Sequence, residues 1–465
     1  MNLIIWGTGY LFQKYQEYLL QFHIVKLCDS DTNKQGKYIH GIEIISPGEI
    51  EKYEYSYIVI MAYAIPEIYQ KLVDMRVPAD KILTCSQIYT LQNQPIFVQS
   101  EGKKMLFDEW QKKNGKAVLI LSHEFSYSGV PAALKNMALI IRTMGYSVLM
   151  AAAESGNFIK ELELFGLDYL DDINLYYGTA CFQKMLSHFE VIIAGTFALY
   201  RIVDTWDKVN APILWWIHES QRTFYDRKTT LPQNKNIKYL AGGSRVKRVF
   251  EEYYPDKNIE ELQYCIPDID RKYIKNHNRT ITIAAIGAIN QRKAQDILLD
   301  AIEMLPEDYK RKFRIIIIGR ISCPDKNYID LVEKGMAKIS RLEWFEELSQ
   351  EELDLYYENI DVLVCASRDD PMPVVVTQAM MHRKVCIVSD QTGQAEFIVP
   401  KENGLVFKSE DRQGLKEALI WVADHRERIP IIGQNARKIY EREFSEEVMK
   451  EKLSAIFQNV LYKGS

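Results

Sequence analysis

Short apolar runs separated by amphipathic stretches recur along the whole chain, and that alternation limits the folds open to it. "NLIIW" at Asn2–Trp6, "AVLILSHE" at Ala117–Glu124, "TITIAAIGAI" at Thr280–Ile289 and "IDVLVCAS" at Ile360–Ser367 each lead into a helical pattern. A strand buried on both faces reads as a continuous apolar run, and the helices that cover it read with a period near 3.6. The expected class is therefore α/β, with doubly wound parallel sheets. Three blocks carry the alternation. Residues 1–95 are expected to form a small Rossmann-like accessory domain, 96–115 a polar linker, 116–275 and 276–440 two larger doubly wound domains, and 441–465 a closing amphipathic helix.

With 47% hydrophobic and 26% charged residues over 465 positions, the chain can fill cores of that size. A net charge of -5 gives no field that would attract nucleic acid. Between Gln221 and Phe250, however, eight cations face only Asp226, which reads as a solvated face or as a patch for phosphates or anionic lipid headgroups at a membrane surface. The seven cysteines contain no C-x-x-C pair and several fall inside apolar runs, as expected of reduced thiols in a cytoplasmic protein. No apolar stretch approaches the roughly 18 to 20 residues of a membrane span.

Two consecutive doubly wound domains leave a cleft between the C-terminal ends of their strands, where open α/β sheets bind ligands. Arg292 and Lys293 in "GAINQRKAQD" fall between a strand and a helix, so they and the helix amides suit a diphosphate. In "SRDDPMPVVVTQAM", Asp370 sits on a loop aimed at the cleft and Pro373 suits the first turn of a helix. A carboxylate there accepts from sugar hydroxyls, and Gln378 on the following helix both donates to and accepts from a ribose. An N-cap cluster of acids is the plainer account of Asp370. At the start of the chain Gly7, Gly9 and Asp29 outline a nucleotide-binding turn, with Phe12 where the third glycine of the fingerprint would stand.

From about Ala117 onward the chain resembles a retaining GT-B glycosyltransferase of family 4. The resemblance rests on "SHEFSYSGVP" with Gly129, "WWIHE" with His218, "GAINQRKAQD", "SRDDPMPVVVTQAM" and "SDQTGQAEFI" followed by "ENGLVF". It implies a sugar moved from a nucleotide-diphosphate donor, a UDP-sugar by preference, to a glycan or lipid-linked acceptor, with no metal and no cofactor. It further implies that residues 116–275 form the acceptor side and 276–440 the donor side. Asp370 and His218 would meet the transferred sugar, Arg292 and Lys293 the diphosphate, and Gln378 the ribose. Gly129 would let the backbone approach the donor, and His123 would stand on the acceptor side or serve the loop. The family's Glu-x7-Glu pattern is altered at both ends, to Asp370 and Gln378, and Ala288 stands where an arginine is common. Those departures leave a second expectation, a non-catalytic partner or glycan-binding subunit with a degenerate donor site. The first block resembles instead the N-terminal domain of PglD-type sugar acyltransferases. The pair Asp268 and Asp270, reminiscent of a metal-binding Asp-x-Asp, falls in the connection between domains and reads as linker.

Overall fold

The computed structural model describes all residues except 21, 86, 88–95, 173–174, 176–179, 205, 207–208, 227–230, 270–279, 349 and 463–465. Three sheets follow one another along the chain. The first holds β1 (Asn2–Trp6), β2 (His23–Cys28), β3 (Tyr38–Ile39), β4 (Ile42–Ile45), β5 (Tyr57–Ile60) and β6 (Ile82–Thr84), in the order β3-β4-β2-β1-β5-β6. Its strands are parallel apart from the short β3–β4 hairpin.

The second sheet has nine strands. They are β7 (Phe97–Ser100), β8 (Lys103–Leu106), β9 (Ala117–Glu124), β10 (Ser147–Glu154), β11 (Asp168–Asp171), β12 (Val191–Ala194), β13 (Ile213–Ile217), β14 (Ile237–Ala241) and β15 (Ile259–Glu261). Their order is β15-β14-β13-β12-β9-β10-β11-β7-β8. The third sheet holds β16 (Ile281–Ile286), β17 (Phe313–Ile318), β18 (Leu342–Phe345), β19 (Val362–Cys365), β20 (Val385–Ser389) and β21 (Leu405–Phe407), all parallel, in the order β18-β17-β16-β19-β20-β21. The first six residues of β9 and all residues of β13, β19 and β20 are buried, as the unbroken apolar runs required.

The two larger domains share apolar core. One cluster runs from Val118, Leu134 and Trp216 of the second domain to Ile316, Met380 and Tyr440 of the third. The last helix, Glu446–Tyr462, returns across the third domain to pack on the helix Gly129–Thr143 of the second, where Tyr146 meets Phe457 edge-on at 5.4 Å. The connection between the domains is tied down as well. Tyr440 Oη donates to the Ile266 carbonyl at 2.9 Å, and Arg437 Nη1 donates to Asp268 at 2.7 Å. Asp268 is thus an ion-pair partner in the connection; Asp270 lies outside the described residues.

One sequence expectation is corrected. Residues 96–115 are not a linker: β7 and β8 form a hairpin that extends the second sheet through an antiparallel pairing with β11. The turn between them places Glu101 at φ 50° and Gly102 at φ 72°, the left-handed pair of a tight two-residue hairpin. Polar "QSEGKK" concealed that turn. The helix Phe107–Lys113 then buries Phe107 and Trp110, and Trp110 Nε1 donates to Asp168 Oδ2 at 2.7 Å. Loss of a large core aromatic costs about 3 to 5 kcal/mol. Deleting residues 1–95 is therefore expected to leave the two larger domains folded, whereas deleting through Lys113 lowers stability by several kcal/mol, as read from denaturant midpoints of the two truncations.

Candidate active site

The third domain supplies two βα corners that meet. After β16, Gly287 at φ 135° starts a loop whose turn is held by Lys293 N donating to Asn290 Oδ1 at 3.0 Å and by Gln295 Nε2 donating to the Ala288 carbonyl at 3.0 Å. The helix Gln295–Glu303 follows, entered through Ala294 in the left-handed region at φ 57°. After β19, the loop 366–373 is pinned at Asp370, whose N donates to Gln391 O at 3.1 Å and whose O accepts from Gly393 N at 2.9 Å. A Cβ at Gly393 would lie 1.7 Å from Pro371 O, so only glycine permits that approach.

These corners bring Arg292, Lys293 and Asp370 together. Lys293 Nζ lies 2.5 Å and Arg292 Nη1 3.4 Å from the same oxygen, Asp370 Oδ2. Arg292 Nη1 also donates to the Asp369 carbonyl at 3.0 Å. Asp370 is 6% exposed, and a carboxylate so enclosed requires charged partners. An N-cap role for Asp370 does not hold: Pro373 caps the helix Val374–Met381, and no side chain caps its first turn. Val376 N donates to the Pro373 carbonyl at 3.2 Å, which leaves the amides of Val374 and Val375 without a partner among the described residues.

The second domain faces this cluster with the ends of β13 and β14. The ring of His218 lies edge-on to Trp216 with centroids 4.2 Å apart, and its Nε2 has no partner among the described residues. A Cβ at Gly242 would stand 2.7 Å from His218 Nδ1, so glycine leaves room for the ring. Burial pushes the imidazole down to about 4, with Glu219 opposing weakly, so His218 is neutral near pH 7. Glu219 points back into its own domain, accepting from Phe197 N at 3.0 Å and from Thr196 Oγ1. Across the cleft, Arg245 Nη2 donates to Asp369 Oδ1 at 3.0 Å and Nη1 to Gln391 Oε1 at 3.0 Å, while Ser220 Oγ reaches Asp369 at 3.3 Å. These bridges border a cavity of about 610 Å³ between the domains. Sequence reading did not single out Ser220 or Asp369, which follow strand ends in βα turns, and it noted Arg245, in the first turn of the helix Ser244–Tyr253, only as one cation of the basic run.

Gln378 lies on the helix Val374–Met381, buried, with Tyr357 Oη 3.3 Å from its amide. Gly129 opens the helix Gly129–Thr143, and a Cβ there would meet nothing within 4 Å, which leaves the space a ligand would use. His123 stands at the end of β9 with Nε2 3.3 Å from Glu124 Oε1.

In the first domain, Gly7, Gly9 and Asp29 do come together, but the carboxylate closes the turn itself. Thr8 donates to Asp29 Oδ2 through N at 3.1 Å and through Oγ1 at 2.5 Å, and Lys34 Nζ does so at 2.9 Å. Burial acts to raise Asp29, yet these bonds hold it below its ordinary value. Gly7, at φ 111° and with a built Cβ 2.5 Å from Met61 O, serves close packing. In the basic run, Arg222, Lys238 and Arg245 are paired with Glu252, Glu260 and Asp369, and Arg227 and Lys228 lie outside the described residues. Among the described residues no helix is long and apolar enough to cross a membrane.

The depressed His218 value has a consequence for stability. The unfolded chain takes up the proton near 6.5 and the folded chain only near 4, so the stabilisation is complete above 6.5 and declines as pH falls from 6.5 to 4. His218→Gln removes this contribution, so over that window the wild-type protein is expected to lose more stability than the variant. Parallel curves of unfolding midpoint against pH would contradict the buried neutral imidazole.

Comparison with known proteins agrees with this architecture. Residues 267–439 match the family described as glycosyl transferases group 1, residues 114–263 match glycosyl-transferase family 4, and residues 1–83 match the C2185-like N-terminal family. For the first block this match does not confirm the likeness to PglD-type acyltransferases. An uncharacterised glycosyltransferase of Methanocaldococcus jannaschii is 25% identical over 160 residues, 34% of this chain and 43% of that protein. The capsular polysaccharide biosynthesis glycosyltransferase CapM of Staphylococcus aureus is 22% identical over 239 residues, 50% of this chain and 58% of that one. The chain thus spans about half the length of these curated relatives. Among solved structures, Anabaena HepE in complex with UDP-glucose superposes with a TM-score of 0.62 at 14% identity, covering 74% of this chain and 100% of that one. A glycosyltransferase from Rickettsia africae gives 0.64 at 16% identity, covering 75% and 99%. The two larger domains thus have the GT-B fold, and residues 114–263 and 267–439 match, in that order, glycosyl-transferase family 4 and glycosyl transferases group 1.

Proposed function

We propose that this protein is a retaining glycosyltransferase that uses a nucleotide-diphosphate sugar, by preference a UDP-sugar, and needs no metal. The observation that carries the reading is the convergence of Arg292 and Lys293 on the enclosed carboxylate of Asp370 at the interdomain cleft. A donor diphosphate takes the place of that carboxylate on the two cations. Asp370, released, accepts from hydroxyls of the sugar. The acceptor oxygen then bonds to the anomeric carbon on the face from which the diphosphate leaves, the bond from that carbon to the phosphate oxygen breaks, and the acceptor proton passes to the leaving phosphate. The negative charge that develops there is met by Arg292, Lys293 and the Val374 and Val375 amides at the start of the helix Val374–Met381.

His218, neutral and enclosed, contacts the sugar or its phosphate from the second domain without adding charge. Gly129 gives the donor room, Gln378 meets the ribose, and His123 faces the acceptor. The acceptor is a glycan or a lipid-linked saccharide in the building of a bacterial polysaccharide or glycoconjugate. UDP-glucose bound in HepE and the capsular role in the name of CapM support donor and pathway class by likeness. The protein acts in the cytoplasm, and Lys235, Lys247 and Arg248 are the cations through which it touches the inner membrane face.

Calorimetric titration of the protein in EDTA with UDP, GDP, dTDP, CMP and ADP tests the donor site. Tight binding of one nucleoside diphosphate is expected, with Lys293→Ala lowering its affinity roughly 10- to 100-fold, the loss of one charge-assisted bond. Asp370→Asn is expected to bind the free nucleotide at least as tightly, because the cations lose their internal competitor, and to fail in sugar transfer. Absence of binding to any of the five favours the non-catalytic partner with a degenerate donor site.

A further inference from the structure

The first and second domains turn strand C-terminal ends toward one shared cavity. In the first sheet β1 leads through residues 7–9 into the helix Tyr10–Leu19, and its parallel neighbour β5 leads into residues 61–63. The strand order reverses between these two, since β2 lies on the other side of β1 from β5. Open α/β sheets bind ligands in the crevice at such a reversal. Here the loop after β10 of the second domain stands across the crevice. The space between measures about 420 Å³, with Tyr10, Lys14 and Tyr63 on one side and Glu154, Ser155 and Asn157 on the other. Lys14 is paired at 3.1 Å with Asp171 at the end of β11, which ties the two domains together. A second cavity of about 450 Å³ shares Tyr10, Lys14 and Tyr15 with the first and continues along β7, β8 and β11.

The lining selects the ligand. Tyr10 and Tyr63 are 53% and 66% exposed, and large rings left uncovered at a domain junction mark a contact surface. Glu154, Ser155 and Asn157 supply acceptors and donors for hydroxyls. Lys14 is the only cation among the described residues that line the first cavity, and Asp171 already neutralises it, so a phosphate finds no free charge there. Asp29, the group that would take the ribose of a nucleotide, is held by Thr8 and Lys34. A neutral ligand with apolar faces and hydroxyl edges satisfies these conditions, and a sugar has that form.

The cavity also adjoins the loop that leads to the transfer cleft. Glu154 is in register with Glu124 at the end of β9, Phe125 N donates to Glu154 O at 3.1 Å, and Phe158 N donates to Phe125 O at 3.0 Å. The loop after β10 is thereby bound to the loop that runs from β9, past His123, to the helix Gly129–Thr143. On that loop Tyr127 is a third open ring, 62% exposed and edge-on to Phe158 at 5.6 Å.

We propose that this junction is a saccharide-binding site in which the first domain holds the sugar chain that the two larger domains extend. The chain-extending role rests on the transferase reading proposed above, whereas the sugar site rests on the cavity alone.

The test is saturation-transfer NMR and calorimetry of the full chain with maltotetraose, cellotetraose, chitotetraose and galactotetraose, with the corresponding monosaccharides, and with UDP. One of the tetrasaccharides is expected to bind roughly 10-fold more tightly than its monosaccharide, because further rings add hydrogen bonds. Tyr10→Ala and Tyr63→Ala are each expected to weaken it by about 3- to 10-fold, the size of one aromatic contact, with Tyr63→Trp restoring it and UDP affinity unchanged throughout. Both rings are more than half exposed, so the variants are expected to keep the thermal midpoint of the wild type. Absence of binding to all four tetrasaccharides overturns the inference, as does affinity that survives both alanine substitutions. A monosaccharide that binds as tightly as its tetrasaccharide makes this a site for a free sugar and overturns the holding of a chain. Loss of UDP affinity together with sugar affinity in the tyrosine variants assigns the rings a structural role and also overturns it. Tetrasaccharide binding that depends on Tyr63 in a protein that binds no UDP refutes the transferase reading and leaves the saccharide site standing.

Discussion

The carboxylate of Asp370, enclosed beneath Lys293 and Arg292, is the interaction on which the rest of the site depends. A lone carboxylate at that depth is unstable, and two unpaired cations at one strand end repel each other; together they satisfy one another. The arrangement also fixes geometry. It draws the loop after β16 onto the loop after β19, and the backbone bonds of Asp370 to Gln391 and Gly393 bind the loop after β20 to both. Three successive βα corners thereby form one surface whose charge is balanced internally and exchangeable for that of an anion.

That surface functions only opposite a second one, and the facing is secured away from the cleft. The helix Glu446–Tyr462 on the second domain, the Arg437–Asp268 pair and the continuous apolar cluster hold the two large domains together on the far side. At the cleft itself the bridges among the described residues are polar: Arg245 and Ser220 to Asp369, Arg245 to Gln391, and Ser244 to Glu396. Apolar packing behind and exchangeable polar contacts in front suit a cleft that must admit a polar ligand without separating its halves.

Much of this was legible in the chain. The unbroken apolar runs required parallel sheets, and Arg292, Lys293 and Asp370 were identifiable because phosphate and sugar chemistry call for such groups at βα turns. The hairpin Phe97–Leu106 was missed because its strands are short and its turn, Glu101 and Gly102, lies in a polar stretch that reads as a linker. Arg245, Ser220 and Tyr357 were not readable for another reason. Their meaning comes from partners 124, 149 and 21 positions away in the chain, and no local periodicity encodes such pairings.

By itself, then, the sequence determined the alternation of strand and helix, the burial of each strand and the residue types available at each turn, since these follow from local period and chemistry. Only the tertiary structure decided which charges neutralise which, that Asp29 is spent on its own turn while Asp370 faces two cations, and that the Gln378 amide meets the enclosed phenol of Tyr357. Those outcomes depend on distances between loops set by the packing of whole sheets, and on which buried donors and acceptors are left to satisfy each other.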